Sequence, residues 1–304
     1  LMVPMPYLQR EQIGTNGCTS ANAVPIATGA VPTCPSAYLQ SPALAVANQA
    51  SGTASNGDHL YDALQATLRK RFSNGLQYQV AYTYSKCMTN SSGYYGSWGG
   101  QTTPTSPYWQ NLYNMKSEWG PCYYDVAHTL TGYAVYQLPF GHKMKFGSNW
   151  NPAVNAVLGD WQTSGIYTWH TGYPITISGG DTSGTNSRGS RADCIGPDVT
   201  VDTSSPLGGI QWFNPNSYAS SLPGDFGNCA PATTRGPGLS ELDFSLQKEF
   251  PLTETKRFEF RGDFINFFNT PILNSPNGGL GSELGLVNSS QGARNIQFAL
   301  KFYF

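Results

Sequence analysis

The sequence predicts an all-β protein made of antiparallel strands. The clearest evidence is the segment Ala293–Phe304, in which large apolar residues occupy every second position from Ile296 to the end. Polar and small residues stand between them, so the segment has the two-residue period of a strand with one apolar and one polar face. Composition agrees, because charged residues are only 12% of the 304 residues and the chain holds 34 Gly and 21 Pro. Such a composition argues against a helical fold.

The same alternation recurs in seven segments, separated by connections that are alternately short and long. The segments are Asp58–Phe72, Leu76–Lys86, His128–Pro139, Asp160–Ile177, Leu239–Phe250, Lys256–Asn269 and Ala293–Phe304. Each has about ten residues or more, enough for a tilted strand to cross the apolar part of a bilayer. Residues 73–75, 140–159 and 251–255 form the short connections, and residues 1–57, 87–127, 178–238 and 270–292 the long ones. The pattern predicts an antiparallel transmembrane β-barrel segment at 58–304, preceded by a loop region at 1–57.

A soluble lipocalin-like barrel or a β-sandwich would also have alternating faces. In such a fold the apolar face would form a closed core, which would have to hold many aromatic rings, among them Tyr78, Phe260 and Phe302. The connection 178–238 would also be unusually long for a compact domain. Both features favour the membrane barrel.

Five charged residues, Asp243, Glu249, Glu259, Arg261 and Asp263, lie on the polar faces of the fifth and sixth segments. In a large barrel these faces line the lumen, so we expect the five side chains to face it. The competing interpretation is a water-exposed wall in which charges pair between neighbouring strands.

Seven strands are an odd number, whereas bacterial single-chain barrels have even strand counts. Lipid cannot satisfy the backbone groups of an unpaired sheet edge. Further strands are therefore expected, either upstream in the same chain or from other chains. The first residue is Leu1 rather than Met, which favours a cut within a longer chain.

Composition and motifs argue against several functional classes. A net charge of −1 offers no footprint for nucleic acid, and no apolar run approaches the roughly 18 residues of a membrane-spanning helix. There is no G-x-S-x-G motif and no readable Ser–His–acid constellation, so we expect neither enzyme activity nor a cofactor. No metal site is expected, because there is no C-x-x-C spacing and the four His residues are scattered.

Several stretches resemble one known family. They are YDALQATLRKRFSNGLQYQVAYTYSKCMTNSSG, YDVAHTLTGYAVYQLPFG, GDWQTSGIYTWHTGYPITI, RGPGLSELDFSLQKEF and RFEFRGDFINFFNTP. They are similar to the C-terminal barrel of TonB-dependent outer-membrane receptors, in particular the Oar-like group, whose chains carry a carboxypeptidase-regulatory-like domain. The ending on Phe302 and Phe304 likewise resembles the signal read by the barrel-assembly machinery. From about residue 58 on, the resemblance implies a bacterial outer-membrane location and the last third of a barrel of roughly 22 strands, with the plug and other strands upstream.

The cysteines follow the topology that the resemblance implies. If Phe304 lies at the periplasmic edge, the long connections lie outside the cell, and the six cysteines fall two to a loop. Six cysteines permit about 15 pairings, and this topology selects one set, Cys18–Cys34, Cys87–Cys122 and Cys194–Cys229. Disulfides suit an oxidising compartment. We expect them to hold together loops that have no hydrophobic core of their own.

The connection 87–127 is crowded with aromatic residues, including Tyr94, Tyr95, Trp98, Trp109 and Tyr113. Exposed aromatic rings beside Gly, Asn and Gln could stack on sugars or peptides. They could equally pack a self-supporting loop or belong to the outer aromatic girdle of a barrel.

The leading functional hypothesis, implied by the resemblance, is uptake of a large or scarce solute by an energy-coupled receptor. Its expected partners are outer-membrane lipid, the upstream plug and strands, the TonB complex and the barrel-assembly machinery. Two alternatives stand beside it. One is a non-transporting surface or adhesion protein, and the other is a self-assembling structural protein whose strand edges pair between chains.

Overall fold

A computed structural model describes residues 56–91, 97–98, 101–102, 109–111, 114–142, 144–183, 189–253 and 255–304. Seven long strands lie in this part of the chain: β1 (His59–Ser73), β2 (Leu76–Thr89), β3 (His128–Gln137), β4 (Trp161–His170), β5 (Leu239–Pro251), β6 (Arg257–Ile265) and β7 (Asn295–Tyr303). The loop region predicted at 1–57 lies almost wholly outside the described residues, as do Cys18 and Cys34.

The seven strands form one sheet in chain order, and every neighbouring pair is antiparallel. The short strand Gly120–Pro121 adds to the end of β2. The lengths run from 9 residues in β6 and β7 to 15 in β1. The predicted all-β antiparallel fold and all seven predicted strands are confirmed.

Two strands end earlier than the alternation predicts. β4 stops at His170 rather than Ile177, because Pro174–Ile175 leaves the sheet and pairs with Thr234–Arg235. β6 stops at Ile265 because Asn266 adopts a left-handed conformation with φ 50°. The Asn266 side chain then accepts from the backbone N of Thr270 at 3.0 Å, which closes a turn. In both cases, residues that follow the strand form contacts that end it. Alternation within the strand cannot predict those contacts.

The registers join the apolar sides of all seven strands into one surface, the apolar face. Residues that pair directly across two strands point to the same side of the sheet. Pairs on this face are Leu68–Val80, Val80–Gly132, Gly132–Tyr167, Tyr167–Leu242, Phe244–Phe264 and Phe258–Phe302, one from each neighbouring pair of strands. The opposite surface is the polar face. Large side chains on the apolar face stand free of other described residues, with Leu64 66%, Phe298 68% and Leu300 69% exposed.

Antiparallel order places the connections alternately at the two ends of the sheet. The turn end carries the short ones, residues 74–75, 138–160 and 252–256, and the loop end carries residues 90–127, 171–238 and 266–294. Asn74 and Gly75 have φ values of 52° and 75°, as a tight Asn-Gly hairpin turn requires. The one α-helix among the described residues, α1 (Pro152–Leu158), lies in the connection 138–160. It is short, and no helix in the described ranges is long and apolar enough to cross a membrane.

The hydrophobic core of the described chain lies in the long connections, not under the sheet. Its buried members are Ile175, Ile177, Ala192, Phe213, Tyr218, Cys229 and Leu284, with Cys194, Trp212 and Leu280 packed against them. The expectation that these loops have no core of their own is therefore wrong. The long connections close on one another and bury enough apolar surface to form a layer beyond the sheet.

Short strands and turns of 3-10 helix build this layer. The strands are Ser97–Trp98, Gln101–Thr102, Pro174–Ile175, Asp193–Cys194, Thr200–Ser204, Ile210–Phe213, Tyr218–Ala219, Thr234–Arg235, Ile272–Leu273, Leu286–Val287 and Ser290–Gln291. Met115–Glu118 and Pro215–Ser217 are the 3-10 turns. These short strands pair with one another within the long connections. Gly120–Pro121, which pairs with β2, and single bonds such as Phe267 N to Leu242 O connect the layer to the long sheet.

The long sheet is open in the described part of the chain. β1 pairs only with β2 and β7 only with β6, so each leaves one edge without a partner strand there. The outer edge of β1, a strand of 15 residues, therefore offers the backbone donors and acceptors of alternate residues to a further strand.

Candidate functional site: the loop cap and the polar face

Two surfaces of this molecule can meet a ligand or partner. One is the polar face. The other is the loop cap, by which we mean the described residues of the connections 90–127, 171–238 and 266–294. The cap lies at the loop end of the sheet and contains the core described above.

The disulfide Cys87–Cys122 anchors the cap to the end of β2, with the two Cα atoms 5.4 Å apart. The backbone N of Cys122 donates to the carbonyl of Cys87 at 3.1 Å, and the backbone N of Cys87 donates to Asp125 Oδ1 at 2.7 Å. The second oxygen of Asp125 forms an ion pair with Arg235, which also donates to the carbonyl of Gly172 at 3.1 Å. This predicted disulfide is confirmed, and it is locked to the neighbouring connection.

His59 lies against the same disulfide. Its Nε2 is 3.1 Å from Cys87 Sγ and 2.9 Å from Tyr124 Oη, and these atoms stand near Cys122 Sγ as well. The two sulfurs are bonded to each other, so neither is a thiolate that could ligate a metal. Only the imidazole remains as a ligand, which does not make a metal centre.

A buried ion pair connects the first long connection, residues 90–127, to the second, residues 171–238. Arg191 Nη1 donates to Glu118 Oε2 at 2.6 Å, and each side chain is only 4% exposed. Arg191 Nε also donates to the carbonyl of Cys229 at 2.8 Å. Gln110 adds two bonds across the same junction, accepting from the backbone N of Arg191 at 2.9 Å and donating to the carbonyl of Gly227 at 2.7 Å. A fully bonded pair of this kind fixes two loops in one relative position.

The disulfide Cys194–Cys229, also predicted and confirmed, lies beside this junction, with a Cα separation of 5.1 Å. Nearby, the Tyr218 hydroxyl donates to Asp198 Oδ1 at 3.0 Å. Burial raises the pKa of the Tyr218 hydroxyl well above its ordinary value, and the negative charge of Asp198 raises it further. The phenol therefore stays protonated and keeps its bond to the carboxylate at any physiological pH.

The third connection joins the cap by strand pairing. Ile210–Phe213 pairs with Leu286–Val287, and the backbone N of Trp212 donates to the carbonyl of Gly285 at 2.8 Å. All three long connections thus belong to one body.

Of the five aromatic residues predicted to contact a ligand, only Trp109 has a described side chain. Its indole Nε1 donates to the carbonyl of Asn90 at 2.7 Å, and the ring is half-buried. This ring therefore supports the loop. Trp98 is described in its backbone alone, within the pair Ser97–Trp98 and Gln101–Thr102. Tyr94, Tyr95 and Tyr113 lie outside the described residues.

The polar face carries two groups of hydrogen-bonded and ion-paired side chains, one around Asp263 and one around Glu259. Arg261 Nε donates to Asp263 Oδ1 at 2.8 Å, and Ser245 donates to the same carboxylate. The Tyr303 hydroxyl donates to Glu259 Oε2 at 2.7 Å. The three predicted charges on β6 therefore lie on one side of the sheet; Glu259 and Asp263 accept bonds from neighbouring strands, and Arg261 pairs with Asp263 within β6.

The two predicted charges on β5 lie at opposite ends of the same face. Glu249 pairs across the strands with Glu259, and the charge of Arg257, 3.4 Å from Glu249, balances them. Asp243 accepts from the backbone N of Asn266 at 2.9 Å, at the loop end. The five predicted charges thus share one face of the sheet, and some of them also pair between neighbouring strands, which was the competing interpretation from sequence.

Aromatic rings mark both ends of the apolar face. At the loop end, the His128 ring lies tilted against Tyr84 and Trp169, with centroid distances of 5.0 Å and 6.4 Å. At the turn end, the rings of Phe258 and Phe302 are 4.8 Å apart. Trp161 and Trp169 bound one strand, β4, and their spacing corresponds to roughly 20 Å across a bilayer at a strand tilt of about 40°. Belts at this spacing match the two interfaces of a membrane.

An antiparallel sheet with an apolar, aromatic-bordered face, a polar face, short turns at one end and long loops at the other defines a β-barrel membrane protein. The chain belongs to the outer membrane beta barrel domain family, whose model matches residues 7–297. It is accordingly an outer-membrane protein. No curated protein matches the chain significantly. In this architecture the apolar face contacts lipid, the turn end is periplasmic, and the loop cap is extracellular.

Sequence reasoning missed the residues that join the loops. Glu118, Arg191, Asp125 and Arg235 are ordinary charged residues in irregular segments, and their partners lie 73 and 110 residues away. No local pattern marks such pairs. The cysteines were the residues of these loops whose partners could be predicted, because the topology implied by the resemblance places two of them in each long connection.

Proposed function

We propose that the chain is the C-terminal barrel portion of a TonB-dependent outer-membrane receptor that takes up a large or scarce solute. The observation that carries the proposal is the open seven-stranded sheet with a charged polar face. Among the described residues β1 and β7 each have one edge without a partner strand. Lipid does not tolerate such edges, which supports a sheet that is a sector of a larger barrel. A wide barrel has room for a plug, which is what a receptor of this type requires.

The network on the polar face supports a lumen filled by water or protein. Glu259, Arg261 and Asp263 remain partly exposed after pairing, with Arg261 41% and Asp263 27% exposed. Such groups suit a wall that contacts an upstream plug, and charges of both signs would allow the plug to bind and release. The TonB complex would act on that plug, and the barrel-assembly machinery would read Phe302 and Phe304. The proposal assigns the chain no catalytic role and no cofactor.

The loop cap supplies the second requirement, a rigid extracellular surface. Two ion pairs join its first connection to its second, strand pairing and a shared hydrophobic core join the third, and each disulfide braces one connection. Preorganised loops lose little conformational entropy when they capture a solute. The predicted aromatic contacts Tyr94, Tyr95, Trp98, Trp109 and Tyr113 belong to the first of these connections.

Uptake by cells tests the proposal. Cells with and without the complete gene are given labelled sugars, peptides and metal chelates, with and without a protonophore. We expect at least one solute class to enter only in the presence of the gene, and entry to stop when the proton gradient collapses. A matched pair of variants refines the test: Arg261→Ala on the polar face should slow entry, whereas Lys256→Ala, at an exposed lysine in the short turn after β5, should not. Gene-dependent uptake that survives the protonophore would contradict energy coupling.

A surface or adhesion role is the second candidate, and the cap favours it. A cap with its own core and disulfides can bind a partner without any lumen. Adhesion predicts attachment that depends on the gene while uptake of every labelled solute is unchanged. Self-assembly through the free edge of β1 predicts instead high-mass, concentration-dependent assemblies of the purified protein.

A further inference from the structure

The connection between β3 and β4, residues 138–160, has an unusual surface for a periplasmic turn. Its helix α1 contains no charged residue, and Asn155 is the only polar residue within it. Asn155 turns inward, accepting from the backbone N of His142 at 2.8 Å and donating to Asp160 Oδ2 at 3.1 Å. The apolar residues face out, with Val157 64% and Leu158 54% exposed. The helix thus directs its polar group to the protein and its apolar groups away from it.

The same helix is held on the lipid-facing side of the sheet. Lys248 Nζ donates to the carbonyls of Asn155, at 3.0 Å, and Gly159. The indole of Trp161 donates to the carbonyl of Val157 at 2.8 Å. Lys248 and Trp161 are register partners on the apolar face. A cation and an indole therefore satisfy the last carbonyls of α1 from the face that contacts lipid.

Two exposed aromatic rings continue this surface. Phe140 and Phe146 pack against each other at 5.7 Å between centroids and are 41% and 49% exposed. Lys145 lies 5.4 Å over the Phe146 ring. Exposed aromatic rings beside a lysine are typical of the membrane interface, where rings lie at headgroup depth and ammonium groups reach phosphate.

We propose that the connection 138–160 is an interfacial anchor that inserts the exposed side of α1 into the periplasmic leaflet of the outer membrane. Its occupant is glycerophospholipid: acyl chains contact Val157 and Leu158, and headgroups contact Phe140, Phe146 and Lys145. The argument is continuity, because Lys248 and Trp161 join the helix to a face that already contacts lipid. The anchor proposal depends on the family membership of the chain and not on the transport proposal. Failure of one proposal therefore leaves the other unaffected.

Site-directed spin labelling tests the anchor in the full gene product, reconstituted in phospholipid nanodiscs. A nitroxide is placed at Val157→Cys, with Cys18→Ser and Cys34→Ser to avoid side reactions. Two matched sites serve as references: Leu300→Cys on the apolar face, 69% exposed, and Leu207→Cys in the extracellular cap, 64% exposed. Collisions with oxygen report lipid, and collisions with a water-soluble nickel chelate report water.

We expect the label at 157 to collide with oxygen as the label at 300 does and to lose the nickel accessibility of the label at 207. Nickel accessibility equal to that at 207 would overturn the proposal. Protection from both reagents would also overturn it, since it would indicate that protein covers the helix.

A second variant tests the attachment of the helix. Lys248→Met removes the donor to the carbonyls of Asn155 and Gly159, so we expect the label at 157 to gain mobility and nickel accessibility. Lys301→Met, an exposed lysine on the polar face, should leave both unchanged. An unaltered label in the Lys248 variant would refute the placement of α1 on this face.

Discussion

Glu118 and Arg191, 73 residues apart in the chain, form an ion pair that is almost completely buried. The pair joins the connection after β2 to the connection after β4. Each partner also has further hydrogen bonds, Glu118 from the backbone N of Gln110 at 3.2 Å and Arg191 to the carbonyl of Ser117 at 2.9 Å. Neither charge is left without compensation, which is the condition under which a buried pair persists.

Removing one partner should open the cap. Glu118→Ala leaves the guanidinium of Arg191 buried without a counter-charge, at a cost of about 3–5 kcal/mol. Hydrogen exchange of cap peptides around Gln110 and Gly227 should then be at least about a hundredfold faster.

The exposed pair Arg257–Glu249 is the matched control. It is 3.4 Å long with side chains 46% and 59% exposed, so Glu249→Ala should change stability by less than about 1 kcal/mol. Equal exchange in the two variants would contradict the structural role of Glu118. The double variant Glu118→Leu with Arg191→Met removes both charges and should restore much of the protection.

The close approach of two loops at Gly120 predicts that adding a side chain there destabilises the cap. A Cβ at this position would lie 2.5 Å from the carbonyl oxygen of Pro231, in the neighbouring connection. Gly120→Ala should therefore push the two loops apart and destabilise the cap by about 1–3 kcal/mol. Gly180→Ala is the control, since a Cβ there meets nothing within 4 Å. Limited proteolysis of the cap should accelerate for the first variant only, and a resistant Gly120 variant would disprove the contact.

Disulfide mapping without reduction tests the topology directly. We expect the peptides Cys87–Cys122 and Cys194–Cys229 seen in the structure, and a third, Cys18–Cys34, that topology predicts outside the described residues. Replacing both Cys194 and Cys229 by serine should destabilise the cap by roughly 4 kcal/mol, judging from a sequence separation of 35 residues. A bond between cysteines of different long connections would be incompatible with the topology.

The cap should also be sensitive to alkali through Tyr218. Burial and Asp198 raise the pKa of this phenol in the folded protein above its ordinary value of 10.0. Its contribution to stability is therefore complete below about pH 10 and is lost as the pH rises through the pKa of the folded state. Near-ultraviolet circular dichroism from about pH 8 to about pH 12 should show this loss.

Tyr218→Phe removes the ionising group. It should lower stability at neutral pH by about 1 kcal/mol through loss of the bond to Asp198, and the alkaline slope should become shallower. Tyr173→Phe, at an exposed ring, should alter neither. An unchanged slope in the Tyr218 variant would exclude this residue as the source.

Much of the sheet could be read from alternation, because each strand carries its own two faces. Alternation alone places Phe258 and Phe260 on one side of β6, and Phe298 and Phe302 on one side of β7. The registers Phe258–Phe302 and Gly262–Phe298 put all four on the same side of the sheet. The ends of β4 and β6 were wrong because contacts with later loops set them. Alternation places Lys248 on the apolar face of β5, but no local pattern indicates that it binds the end of α1.

The amino-acid sequence by itself determined the seven strands, their faces and their chain order, because the side-chain period of a strand is a local property. The topology implied by the family resemblance then selected the two disulfides that the structure confirms. Only the tertiary structure decided that the long connections share one hydrophobic core, that Glu118 reaches Arg191, and that α1 lies on the lipid-facing side. These depend on groups far apart in the chain that meet only after the sheet has set the ends of its strands. Burial and charge pairing then select among many possible loop arrangements, and no short segment encodes that choice.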